Sequence, residues 1–131
     1  MISTRGRYAL RVMITLASNR ERGYIPMKEI AEKQGISLKY MERIVPALVK
    51  NGLLEGIQGK SGGYRLTREP KEYSVGEILR LAEGELAPVS CVECCGGKCD
   101  RAAECKTLPM WKKLGKTIED YLDSVSIADL I

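Results

Sequence analysis

Between Met27 and Arg68 the chain sets out two short helical segments, a tight turn between them and a glycine-tipped hairpin straight afterwards. Few folds accept that order. Pro26 stands where a first helical turn tolerates it, and Met27 to about Lys33 reads as a short helix with Ile30 and Ala31 inward. Gln34-Gly35-Ile36-Ser37 is a turn. Gly35 suits the left-handed residue after a helix, and the Ser37 hydroxyl can cap the next one. That second helix is expected from Leu38 to about Lys50, with Leu38, Met41, Val45 and Leu48 on one face and Asn51-Gly52 as its stop. Leu53 to Gln58 then reads as a strand, Gly59-Lys60-Ser61-Gly62-Gly63 as a tip, and Tyr64 to Arg68 as the return strand. Helix, tight turn and basic helix make a helix-turn-helix pattern, and a hairpin directly behind it makes a wing. Lys60, Arg65 and Arg68 give that wing positive charge. A plain hairpin carrying basic side chains is the alternative.

The flanks fit the same plan. Residues 5–18 read as a helix, with Tyr8, Val12 and Leu16 and the pair Met13 and Ala17 at helical spacing. Pro70 ends the hairpin, and Ser74 caps a further helix to about Gly84, with Val75, Ile78, Leu79 and Ala82 apolar. Residues 104–125 read as one long helix, in which Trp111, Leu114, Ile118, Tyr121, Leu122 and Val125 recur at three and four residues. Such a helix packs against a second copy, folds back on its own domain, or does both with different faces. Pro46 removes one donor inside the second helix of the pair. It is expected to kink that helix or shift its effective end, leaving the first two turns to read a ligand and the second half to pack in the core. The fold class is therefore mainly α with a small β-hairpin wing: a winged helix-turn-helix domain over 1–84, a cysteine-rich cofactor loop over 85–105, and a long dimerisation helix with tail over 106–131.

Charge supports a polyanion as partner. Residues 1–71 hold 14 Lys/Arg against 6 Asp/Glu, whereas residues 72–131 hold 7 against 11. A basic face on a helix-turn-helix is the electrostatic footprint of nucleic acid binding. No apolar run approaches the roughly 18 residues of a membrane span. The first residues lack the apolar core and cleavage site of a signal peptide, so a cytoplasmic setting and no membrane partner are expected. The chain has no histidine, hence no Ser-His-Asp triad, and it has no Gly-rich phosphate loop. It is expected not to be an enzyme.

All five cysteines lie in one loop, spaced Cys91-x2-Cys94-Cys95-x3-Cys99-x5-Cys105. Without histidine, a metal there must be held by thiolate, carboxylate or something weaker. Soft thiolates in a cytosolic loop suit an iron–sulfur cluster. Four cysteines equally satisfy a tetrahedral zinc site, and the Cys91-x-x-Cys94 pair could act as a thiol–disulfide switch. A lasting structural disulfide knot is disfavoured in the cytosol. A small redox protein using its cluster for electron transfer is the reading from another class, but it has no need of a basic half and a wing.

Several stretches, in order, closely resemble the Rrf2 family of bacterial winged-helix regulators, including its IscR-like and NsrR-like iron–sulfur sensors. These are Ser3-Thr4-Arg5-Gly6-Arg7-Tyr8-Ala9-Leu10, Gln34-Gly35-Ile36-Ser37 with Tyr40 and Glu42, Gly59-Lys60-Ser61-Gly62-Gly63-Tyr64, Ser74-Val75-Gly76-Glu77, the cysteine loop and Trp111. The resemblance covers nearly the whole chain. It implies a homodimeric transcription regulator, of the repressor kind, that binds a partly palindromic duplex operator and senses redox state through an iron–sulfur cluster, 2Fe–2S before 4Fe–4S. It implies DNA contacts from Arg5, Arg7, Lys28, Ser37, Lys39, Tyr40, Glu42, Arg43, Gln58, Gly59, Lys60 and Ser61. Trp111, Leu114, Ile118, Tyr121 and Leu122 would form the dimer seam. Cys99 and Cys105 match the last two cluster ligands of IscR-like members, and Cys91 or Cys94 the first. The chain departs from the family in four places. Leu108 stands where IscR-like members have a ligating histidine, and Tyr8 where NsrR-like members can supply an acid. Gln58 stands where IscR-like members often have arginine, and Lys60 where they often have proline. The fourth ligand is thus open among Cys94, Cys95 and, less readily, Glu93 or Glu104. Zinc, a thiol switch or a cofactor-free regulator of the same fold remain as alternatives.

Overall fold

The computed structural model describes residues 2–89, 101 and 103–131. Helix α1 spans Thr4–Ser18, α2 Met27–Gln34 and α3 Leu38–Lys50. Strands β1, Leu54–Ile57, and β2, Gly63–Leu66, form the hairpin, and α4, Val75–Glu83, and α5, Leu108–Ser124, complete the main elements. The local signals explain the boundaries. Gly35 closes α2 in the left-handed region at φ 63°. The Ser37 hydroxyl accepts the Tyr40 amide to open α3, and the Ser74 hydroxyl accepts the Glu77 amide to open α4. Among the described residues no helix is long and apolar enough to cross a membrane.

One core holds these pieces together. Val12, Met13, Leu16 and Ala17 of α1 meet Ile30 and Ala31 of α2, and Met41, Ile44, Val45 and Leu48 of α3. Leu53, Leu54, Tyr73 and Ile78 join them, and each buried aliphatic side chain contributes about 1.5–3 kcal/mol. The hairpin pairs antiparallel, Leu54 opposite Leu66 and Ile57 opposite Gly63. Ile25 adds a third, one-residue rung: its amide donates to the Tyr64 carbonyl at 2.9 Å and its carbonyl accepts the Tyr64 amide at 2.8 Å. Gly63 permits this, because a Cβ there would stand 2.3 Å from the Ile25 backbone.

Four expectations change. Leu38 does not face inward; it is 45% exposed, whereas Ile36 in the preceding turn is buried in the core. Pro46 does not shift the end of α3. The helix runs through it, Pro46 lies on the exposed side, and buried residues continue from Met41 to Leu48. The carbonyl that loses its partner, that of Glu42, belongs to the exposed face. The return strand stops at Leu66, since the Thr67 and Arg68 amides donate to the Tyr73 hydroxyl instead of continuing as strand. The last helix begins at Leu108, not 104, because Pro109 fits only a first turn. The helix ends when Val125 turns extended and its carbonyl accepts the Val75 amide at 2.8 Å. The tail then returns to the core, with Ile127 fully buried and its amide donating to the Tyr73 carbonyl at 3.0 Å.

Candidate nucleic-acid interface and cysteine loop

The exposed ridge of α3 is the centre of the candidate interface. Lys39, Glu42, Arg43, Pro46 and Lys50 are all exposed, and their spacing of three and four places them along one helix face. Two clefts flank the ridge. On one side Arg43 shares a small apolar crevice with Arg5, floored by Ala9, Ile44, Leu48 and Leu81. On the other, Pro46 and Lys50 share a cleft with Ile57, Gln58 and Tyr64 of the hairpin. The start of α1 and the base of the wing therefore border the same helix from opposite sides.

The side chains expected at DNA are accessible. Arg5, Arg7, Lys28, Ser37, Lys39, Glu42, Arg43, Gln58, Gly59, Lys60 and Ser61 are exposed, and Tyr40 is half-buried. The Tyr40 ring meets that of Tyr8 edge-on at 5.3 Å, and the Arg11 guanidinium lies over the Tyr8 ring, 5.1 Å from its centroid. Arg11 is fixed in turn by Gln34, whose side-chain oxygen accepts its Nε at 2.8 Å and whose carbonyl accepts its Nη2. This chain of contacts ties α3 to α1 and α2.

Ion pairing separates the cations into two sets. Arg20, Arg22, Arg65, Arg68, Arg80 and Lys116 are paired with Glu69, Glu29, Glu55, Glu77, Asp123 and Asp120 respectively. Among the described residues Arg5, Arg7, Lys28, Lys39, Arg43, Lys50 and Lys60 form no ion pair, so their charge is available to a phosphate. This corrects the expectation for the wing. Arg65 is held by Glu55 and stacks 4.5 Å from the Tyr24 ring, and Arg68 is held by Glu77 and stacks 4.6 Å from the Tyr73 ring. Of the three, Lys60 alone forms no ion pair among the described residues.

Sequence reasoning missed Tyr73. Its hydroxyl donates to the Leu53 carbonyl at 2.8 Å and accepts the Thr67 and Arg68 amides at 2.9 Å each, which fixes the base of the wing to the residues before α4. It also missed Lys50 and the exposed apolar Leu38 and Ile57 beside the ridge. Lys50 could have been found by continuing the exposed spacing from Lys39 through Arg43.

Of the cysteine loop, Cys91, Cys94, Cys95 and Cys99 lie outside the described residues, as does Glu93. Cys105 is described and half-buried just before α5. The Thr107 hydroxyl, 3.3 Å from its sulfur, and the Thr107 and Leu108 amides hold its thiol below the ordinary cysteine range, against a smaller opposing effect of burial. A sulfur so placed favours the thiolate, the form that ligates a metal. On α5, Leu114 is 40% and Tyr121 67% exposed, Met110 is exposed too, and Trp111 and Ile118 are half-buried. Leu122 instead packs against Val75, Leu79 and Leu86 of its own chain.

Residues 2–131 match the family model for Rrf2, described as an iron-dependent transcriptional regulator. The HTH-type transcriptional regulator IscR of Klebsiella pneumoniae is 33% identical, the match covering 99% of this chain and 78% of that protein. Among solved structures, IscR of T. potens is 38% identical with a TM-score of 0.79, covering 99% of this chain and 85% of that one. CymR, titled the global cysteine regulator of B. subtilis, is 35% identical with a TM-score of 0.80, covering 99% and 95%. These relatives are named regulators, not enzymes.

Proposed function

Since the chain belongs to the Rrf2 family of winged-helix transcription regulators, we propose that it acts in the cytoplasm as a homodimeric repressor on a partly palindromic duplex operator. In that reading α3 lies in the major groove and the wing follows the neighbouring backbone. The observation that carries it is the exposed α3 ridge whose Lys39, Arg43 and Lys50 form no ion pair among the described residues, bordered by Arg5 on one side and the wing on the other. Lys39 and Arg43 suit phosphate or a guanine edge, and Glu42 suits a cytosine amino group. Gln58, Gly59, Lys60 and Ser61 lie at the wing tip, Lys28 and Ser37 at the starts of the two helices, and Tyr40 can donate its hydroxyl to phosphate. A second copy would cover the apolar seam of Met110, Leu114 and Tyr121, and α5 has no buried residue in the single chain.

Cys91, Cys99 and Cys105, with Cys94 or Cys95 as fourth donor, would hold an iron–sulfur cluster, and the thiolate-favouring surroundings of Cys105 fit that role. When bound, such a cluster would supply a redox-sensitive tie between the segment after α4 and the start of α5, and its state would set the affinity of the dimer for its operator. The relative named IscR and the family's description as iron-dependent support this over zinc or a thiol switch. The test has two parts. Selection from randomised duplexes should return a site with two related half-sites, and an unselective mixture would contradict the DNA reading. Anaerobically purified protein should contain iron and acid-labile sulfide with visible absorption. Zinc, or no metal after anaerobic reconstitution, would overturn the cluster.

A further inference from the structure

The residue that ends α4 also opens α1. One Glu83 oxygen accepts the Ser3 amide at 2.5 Å and the Gly6 amide at 2.9 Å, and both oxygens lie 2.8 Å from the Ser3 hydroxyl. The Ser3 hydroxyl itself accepts the Arg5 amide at 3.2 Å. The amides that a helix start leaves without partners are thus satisfied in large part from another helix.

The first turn of α1 needs that help. It contains no acidic residue and instead carries Arg5 and Arg7. Cations oppose the positive end of the helix dipole, and glycine is a poor helix former. Yet Gly6 is what the carboxylate requires, since a Cβ at that position would stand 2.4 Å from the Glu83 oxygen. A turn poor in intrinsic helicity, bearing two cations that pair with no described carboxylate, is held by one carboxylate from 77 residues further along the chain. Arg5 in turn shares the crevice beside α3 with Arg43.

We infer that Glu83 is a positioning residue for DNA binding: it keeps the first turn of α1 helical so that Arg5 and Arg7 are presented to backbone phosphates beside the recognition helix. The inference rests on the reading that Arg5 and Arg7 touch DNA. It makes a prediction of unusual sign. A carboxylate that merely sits near DNA repels it, so removing the charge would tighten binding. A carboxylate that positions the arginines must be kept in shape, whatever its charge.

The experiment compares Glu83→Ala and Glu83→Gln in the full chain, by fluorescence anisotropy on a duplex selected with the unaltered protein, over a series of salt concentrations. Glutamine keeps an oxygen for the Ser3 and Gly6 amides and can donate to the Ser3 hydroxyl, whereas alanine keeps nothing. Glu83→Ala should bind about tenfold more weakly, with a salt slope shallower by roughly 1–2 as phosphate contacts are lost, and Glu83→Gln should restore near-normal binding. In an Arg5→Gln/Arg7→Gln background, Glu83→Ala should cost nothing further. Equal or tighter binding by Glu83→Ala overturns the inference, as does an undiminished loss in the double-arginine background, which would mean a general effect on folding. If Arg5→Gln/Arg7→Gln alone binds normally, the inference falls with its premise. Should Glu83→Ala not fold, Gly6→Ala displaces the same carboxylate and is expected to reproduce the weakened binding.

Discussion

Replacing Tyr73 by phenylalanine isolates one hydroxyl group at the base of the wing. The ring is fully buried and would keep its packing, including the Arg68 guanidinium 4.6 Å from its centroid. What disappears is the donor to the Leu53 carbonyl and the acceptor for the Thr67 and Arg68 amides. A typical hydrogen bond contributes about 1 kcal/mol net, and a buried group left without a partner costs about 1–3 kcal/mol. The Leu53 carbonyl keeps the Thr67 hydroxyl at 3.3 Å and the Thr67 amide at 3.5 Å, so the loss falls mainly on the Arg68 amide. The expected destabilisation is about 2–4 kcal/mol. For a chain of this size that is roughly 3–5 °C of melting temperature per kcal/mol, or a fall of about 6–20 °C. Thermal and urea unfolding followed by far-ultraviolet circular dichroism measure it. Operator affinity should fall as well, because Tyr73 fixes the strands that carry Lys60. A change below about 0.5 kcal/mol, the range of ordinary surface substitutions, would refute the view that this hydroxyl organises the wing base.

Other outcomes follow from single contacts. Burial raises the Glu83 carboxyl, but the Ser3 hydroxyl and the Ser3 and Gly6 amides outweigh it and leave it below the ordinary glutamate value. Its contribution is therefore complete above the unfolded value of about pH 4.3 and is lost as pH falls through the lower folded value. The Gly6 amide resonance should titrate with a midpoint below about pH 4.3, and a midpoint above that would contradict the assignment. Cys99→Ala and Cys105→Ala should each abolish the cofactor and alter operator affinity while the dimer stays folded; unchanged DNA binding in both would break the proposed coupling. Leu114→Glu combined with Tyr121→Glu places charge on the exposed seam of α5 and should give a monomer by sedimentation. A persisting dimer would move the interface elsewhere.

The parts of this fold legible in the sequence are those governed by neighbours in the chain. Helical spacing and the Ser37 cap set α3 at Leu38–Lys50, and Gly35 set the turn before it, because caps and periodicity act within a few residues. Contacts across the chain were not legible. Arg65 and Arg68 look like free wing cations until Glu55 and Glu77 are seen beside them. Glu83 looks like an ordinary helix-end acid until it is seen capping α1. Ile127 looks like part of a tail, but it is buried in the core. Leu38 satisfies the apolar spacing of its helix, yet Ile36 takes the interior position ahead of it. The basic ridge could be proposed from composition, but which of its cations stay unpaired is a property of the folded chain.

The central claim is that the state of the cysteine loop governs DNA binding, and one titration tests it directly. A duplex selected with the purified protein is bound by two samples of the same preparation, one with its iron and sulfide content verified and one stripped of metal, under anaerobic conditions at fixed salt. The account expects their dissociation constants to differ by about tenfold or more, a free-energy difference of about 1.4 kcal/mol. Equal affinities, with both samples still folded dimers, would contradict it and leave a winged-helix regulator whose DNA binding is controlled by something other than its cysteines.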